Sequence, residues 1–173
     1  MKRHVVLVGM MGTGKTTVGR LLADRLGRSL VDSDELIERR TGRTVREIWR
    51  TDGEPTFRVL ETAALRDALA ESEPLVIAAA GGVVLSARNR EALREADAVV
   101  VWLRADPSVL LGRVGRDDHR PLLDDDPAAT LQRMDQERDP LYREVADVVV
   151  DSGAMSPAAV VEQIVGLAAE DVQ

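Results

Sequence analysis

The sequence predicts an α/β protein whose parallel sheet is covered by helices on both faces, and three observations carry that expectation. Apolar, β-branched runs recur at 4–8 (HVVLV), 74–79 (PLVIAA), 98–103 (AVVVWL) and 147–151 (DVVVD), with SLVD at 29–32 as a fifth and shorter one. They are continuously apolar rather than alternating, as strands buried on both faces are. Helical patterns fill the intervals, at 15–26, 35–40, 56–71, 87–95, 106–113, 127–138 and 157–169. Strands alternating with helices call for right-handed crossovers in one parallel sheet. Ligands of such sheets sit beyond the carboxyl ends of the strands, so the loops there are where chemistry is sought.

The 173 residues suffice for one domain, 1–173, able to bury roughly two-thirds of its unfolded surface. A net charge of −7 and only four aromatic residues, Trp49, Phe57, Trp102 and Tyr142, argue against a nucleic-acid partner. With no cysteine, disulfides and thiolate metal sites are excluded. The opening MKRHVVLVGMMG is broken by Gly9 and lacks a signal-peptide core, and no run approaches the ~20 apolar residues of a membrane span. A cytoplasmic protein acting on small molecules is expected.

The first strand leads into GMMGTGKT, Gly9 to Thr16, which opens the first helix. GxxxxGKT in this strand-loop-helix context is a phosphate-binding loop. Backbone amides through Gly12, Thr13, Gly14, Lys15, Thr16 and Thr17 surround phosphate oxygens, Lys15 reaches the β/γ-phosphates, and the Thr16 hydroxyl ligates Mg2+.

The second strand closes with VDSD, which puts Asp32 and Asp34 two residues apart. If the strand continues through them, both point to one side. The runs at 74–79 and 98–103 lead into AGG and RAD, so the metal-binding carboxylate of a phosphate-loop protein falls to Asp32. Asp34 can then orient an acceptor hydroxyl and take its proton, or serve as N-cap of a helix starting at Glu35; the two roles are compatible. No NKxD stretch is present, which disfavours a GTPase switch.

Further along, DGEPTFRVLE (52–61) places Arg58 and Glu61 three apart, as an anion-binding arginine fixed by a carboxylate or as an exposed ion pair. AAAGGVV (78–84) pairs Gly81 and Gly82 at a strand end, for close backbone approach to a ligand or a plain turn. GRVGRDDHRPLLDDDP (112–127) carries Arg113, Arg116 and Arg120 in a glycine-bounded segment suited to covering a site and excluding water. Its end supplies Asp126 as N-cap and Pro127 as first helical residue. RDPLYR (138–143) sets Arg138 where a helix is expected to stop before Pro140.

In this order GMMGTGKTTVGR, DSD, DGEPTFR, AGG, RPLL, RDPLYR and SPAAVV resemble the shikimate kinases, small enzymes of the nucleoside-monophosphate-kinase structural family, over nearly the whole chain. The resemblance implies a three-layer α/β/α P-loop kinase fold with a five-stranded parallel sheet in the order 2-3-1-4-5, a shikimate-binding helical region at 33–61 and a lid at 112–127. It also implies transfer of the ATP γ-phosphate to the 3-hydroxyl of shikimate, on the route to aromatic amino acids, by a monomer. In that family the position of Asp34 binds the reacting hydroxyl, those of Arg58 and Arg138 hold the shikimate carboxylate, and those of Gly81 and Gly82 line the pocket. The position of Arg120 reaches the transferring phosphate, while Arg113 and the loop before Pro157 match residues flanking adenine. An acid bearing hydroxyls asks independently for arginine forks and a carboxylate. Gluconate kinases, adenylate kinases and a non-catalytic nucleotide-binding protein are the rival readings. One departure stands out: Ala80 replaces the first of the family's usual three glycines, and a requirement there for positive φ would cost about 1 kcal/mol and weaken shikimate binding.

Overall fold

The computed structural model describes residues 4–114 and 125–170. Its strands are β1 (His4–Val8), β2 (Ser29–Asp32), β3 (Leu75–Ala78), β4 (Ala98–Arg104) and β5 (Val148–Asp151). They form one parallel sheet in the order β2-β3-β1-β4-β5, the order that the family resemblance implies. All five apolar runs of the sequence supply a strand.

Successive residues of a strand face opposite sides of a sheet, so each continuous apolar run feeds two cores. Val5 and Leu7 pack with Val18 and Leu22 of α1 (Lys15–Leu26) and with Val160, Val161 and Ile164 of α7 (Pro157–Glu170). Val6 and Val8 turn the other way, towards Leu65 of α3 (Val45–Ala70), Leu93 of α4 (Ala87–Glu95), Leu110 of α5 (Pro107–Val114) and Leu131 of α6 (Pro127–Val145). Each buried aliphatic side chain contributes about 1.5–3 kcal/mol. A third cluster, Ile37 of α2 (Ser33–Thr41) with Ile48, Phe57 and Ala64 of α3, anchors the helical region beyond the β2 edge.

Three helix boundaries differ from the expected ones. Helix α2 begins at Ser33, because the Asp32 side chain caps it by accepting from the amides of Asp34 and Glu35; Asp34 is therefore not the N-cap. The strand stops at Asp32, so strand alternation does not relate the two aspartates, which lie instead within the first turn of a helix. Helix α3 begins at Val45 rather than 56, with Thr44 and Glu47 forming a reciprocal capping box, and it breaks at Gly53, where φ is 83°. Pro55 follows within the first turn after that break, where a missing N–H costs little. Helix α6 continues through Pro140 to Val145 instead of ending near Arg138, since burial of Leu131, Met134, Arg138, Tyr142 and Val145 on one face outweighs the lost ladder bond. Asp126 and Pro127 do open this helix as expected. The expected lid falls largely outside the described residues, as do Arg116 and Arg120. Among the described residues no helix is long and apolar enough to cross a membrane.

Candidate active site

The glycine loop leaves β1 and hands the chain to α1. Gly12 has φ of 82°, and a Cβ there would stand 2.7 Å from Val114 Cγ1, so both backbone conformation and close approach of α5 demand glycine. The loop is held by Thr13, whose hydroxyl donates to the Met10 carbonyl at 2.8 Å. Lys15 Nζ donates to the carbonyls of Gly9 (2.7 Å) and Met10 (2.8 Å), which folds the ammonium back over the loop.

Thr16 Oγ1 donates to Asp32 Oδ2 at 2.5 Å, while Asp32 Oδ1 accepts from the amides that open α2. One carboxylate thus caps a helix and faces the phosphate loop. A hydroxyl and a carboxylate oxygen side by side are hard donors that suit magnesium, which keeps waters and phosphate oxygens for its other positions. Among the described residues no cluster of three or more His, Asp or Glu that could hold a metal ion is found.

A cleft of about 200 Å³ lies over this pair. Its walls are Gly12 and residues 14–17, then Asp32 and Asp34, then residues 78–81 at the carboxyl end of β3. The structure therefore brings Asp34 to the same cleft as Lys15 and Thr16. Ala80 lines it too, at φ −60° and ψ 145°. That conformation is open to any residue, so the backbone strain expected of an alanine there does not arise.

Arg58 and Glu61 are not an exposed pair. Arg58 Nη1 donates to both Glu61 oxygens (3.1 and 3.0 Å), and Glu54 Oε1 accepts from Nε (3.3 Å) and Nη2 (3.1 Å). The guanidinium also lies 5.5 Å from the Trp49 ring centroid and 5.6 Å from that of Phe57. A Cβ at Gly82 would fall on this guanidinium, so glycine is the residue that lets the turn and the arginine meet. Burial pushes the Glu61 carboxyl up to about 7; Arg58 pulls it back only in part, and Asp34 adds to the rise. Arg138, on α6, is buried and comes within 3.5 Å of where a Gly81 Cβ would be, which puts both arginines against the glycine turn.

Arg113 spans two loops. It donates to the Gly12 carbonyl at 3.0 Å and to the Ser152 carbonyl at 3.0 Å, tying the phosphate loop to the segment that precedes Pro157. Arg120 lies outside the described residues. Reading the sequence alone misses two residues at this site, Trp49 beside Arg58 and Tyr142, whose hydroxyl donates to the Gly81 carbonyl at 2.6 Å. Their signal was the scarcity of aromatics: three of the four, Trp49, Phe57 and Tyr142, gather around the two arginines and the glycine turn.

The profile described as shikimate kinase matches residues 11–168. A shikimate kinase of Pseudomonas savastanoi pv. phaseolicola is 46% identical over 97% of both chains, and one of Methylococcus capsulatus is 46% identical over 95% of this chain and 91% of its own. Among solved structures, the shikimate kinase from Acinetobacter baumannii in complex with shikimate superposes with a TM-score of 0.94 at 39% identity, covering 99% of this chain and 95% of that one. A gluconokinase from Sinorhizobium meliloti 1021, covering 96% of this chain and 92% of its own, has a TM-score of 0.55 at 22% identity and shares the fold alone. Motif order, strand order and near full-length identity converge, and this ATP-dependent kinase belongs to the shikimate kinase family.

Proposed function

We propose that this chain transfers the γ-phosphate of ATP to the 3-hydroxyl of shikimate, giving shikimate 3-phosphate and ADP. The observation that carries the reading is the facing of three elements: the phosphate loop, the Asp34 carboxylate in the same cleft, and two arginines set against the glycine turn. Arg58 and Arg138 take the shikimate carboxylate, with Gly81 and Gly82 forming the wall beside it. Asp34 holds the reacting hydroxyl and receives its proton late in a largely dissociative transfer.

On the nucleotide side, the amides of residues 12–17 cradle the phosphates, and Lys15 exchanges its loop carbonyls for β/γ-phosphate oxygens. Thr16 and Asp32 would hold Mg2+, which supplies neutralisation of charge between the β- and γ-phosphates when bound. Arg113 and Pro157 border the adenine, and Arg120 reaches the transferring phosphate from the 112–127 segment, a role supported by sequence position alone. The reading includes a cytoplasmic monomer, without nucleic-acid or membrane partners, supported by resemblance to the family and by the acidic net charge of −7.

A coupled ADP-release assay with ATP and Mg2+, offering shikimate, gluconate, AMP or no acceptor, tests this directly. ADP release that depends on shikimate and is near zero without it is expected; release driven equally by gluconate, or none with any acceptor, contradicts it. Asp34→Asn should lower turnover by roughly 100-fold or more while calorimetric ATP binding stays close to wild type. Near-normal turnover would remove Asp34 from the mechanism. Stability also depends on the protonation of Glu61. Its folded-state value, about 7, lies above the ordinary 4.5, so its contribution to stability is fully present below 4.5 and is lost as pH rises through about 7. The stability of wild type relative to Glu61→Gln, read by urea unfolding, should therefore decline between pH 4.5 and 7. A difference that is flat across that window, or grows, refutes the shift.

A further inference from the structure

The two arginines of the acceptor site differ in what already holds them. Arg138 is buried, and its Nε has no hydrogen-bond acceptor among the described residues. Arg58 has acceptors on all three of its guanidinium nitrogens. Nη1 donates to both oxygens of Glu61, while Nε and Nη2 both donate to Glu54 Oε1, at 3.3 and 3.1 Å. The two carboxylates are not equivalent, because the Glu61 side chain is 2% exposed and that of Glu54 is 49% exposed.

The edge of a guanidinium formed by Nε and Nη2 is one of those on which a carboxylate seats itself with two parallel bonds. On Arg58, Glu54 occupies that edge from within the chain. A substrate carboxylate arriving beside Glu54 and Glu61 would set three carboxyl groups on one guanidinium, so one must leave. Only the exposed one can do so without uncovering a buried group. The fold gives Glu54 somewhere to go. It follows Gly53, where φ is 83° and α3 is interrupted, and so stands at the start of the resumed helix, where unpaired amides favour a carboxylate. It also lines an open cavity of about 410 Å³ with Pro55, Thr62 and Leu85, which leaves room for the side chain to turn aside.

We infer that Glu54 is an internal competitor of the acceptor: its carboxylate holds one edge of Arg58 before substrate binds and yields that edge to the substrate carboxylate, so Glu54 sets the affinity and anion selectivity of the site. The inference rests on the reading of Arg58 as a carboxylate anchor. An acceptor that also engages Arg138 and Asp34 gains enough to displace Glu54. A simple carboxylate, without hydroxyls to bind, is held off.

Glu54→Gln keeps the length of the side chain and removes its charge. Asp52→Asn, two residues away and paired with Arg43, removes an equal charge that does not touch Arg58 and serves as the control. By calorimetry, the dissociation constant for shikimate should fall roughly two- to fivefold in Glu54→Gln, the range of a solvent-exposed ion pair, and stay at the wild-type value in Asp52→Asn. The dissociation constant for ATP should not move in either variant. Acetate, used as the simple carboxylate, should compete with shikimate at concentrations lower by the same factor in Glu54→Gln. A rise in the shikimate constant would make Glu54 a support of Arg58, no change would mean that the substrate leaves that edge alone, and an equal fall in Asp52→Asn would reduce the effect to net charge. Each of these overturns the inference, as does acetate competition that the variant leaves unaltered. Absence of shikimate turnover in the wild type, measured alongside, would instead overturn the function proposed above.

Discussion

The packing around the glycine turn depends on one contact, the half-buried Arg58 guanidinium lying against Gly82. A guanidinium partly withdrawn from water needs its donors satisfied, and Glu54 and Glu61 do this from positions four residues before and three residues after it on the same helix. The arrangement carries its own cost, because Glu61 is buried with Arg58 and its carboxyl rises towards neutrality. Loss of Arg58 would push the Glu61 carboxyl further towards neutrality, whereas loss of Glu61 would leave Arg58 with Glu54 alone. The break at Gly53 matters for the same reason, since it turns α3 just before Glu54 and sets the direction in which Arg58 projects.

The nucleotide half rests on a different economy of groups. Asp32 caps α2 with one oxygen and meets Thr16 with the other, so the start of α2 and the phosphate loop are fixed by the same carboxylate. Asp34 is one residue into that helix beyond Ser33 and inherits its position from the cap. The two aspartates are therefore separated by geometry: the first is tied to the loop, and the second lines the cleft beside it. This spacing arises from a strand ending and a helix beginning, not from a continuing strand.

Much of this was legible in the sequence because it depends on local order. The apolar runs read as strands since parallel strands must be apolar on both faces, and GMMGTGKT read as a phosphate cradle since its context was visible on both sides. Sheet order came only from the family resemblance, because strand pairing is decided by contacts far apart in the chain. The first half of α3 was missed, although TVRE at 44–47 spells its capping box, and α6 was cut short at Pro140 because a proline is judged locally while burial of Tyr142 and Val145 is not. Glu61 looked like half of a surface pair for the same reason: three-residue spacing says that two groups meet, and only packing says whether water reaches them. The concern over Ala80 failed on a backbone angle, which residue type alone does not determine.

The most direct measurement of this account is the steady-state kinetics of Gly82→Ala. A methyl group at that position falls on the Arg58 guanidinium and must displace it. If the contact organises the acceptor site, the KM for shikimate rises by roughly tenfold or more, as for loss of a charge-assisted anchor, while the KM for ATP stays near that of wild type. An unchanged KM for shikimate, or an equal loss for both substrates, would contradict it.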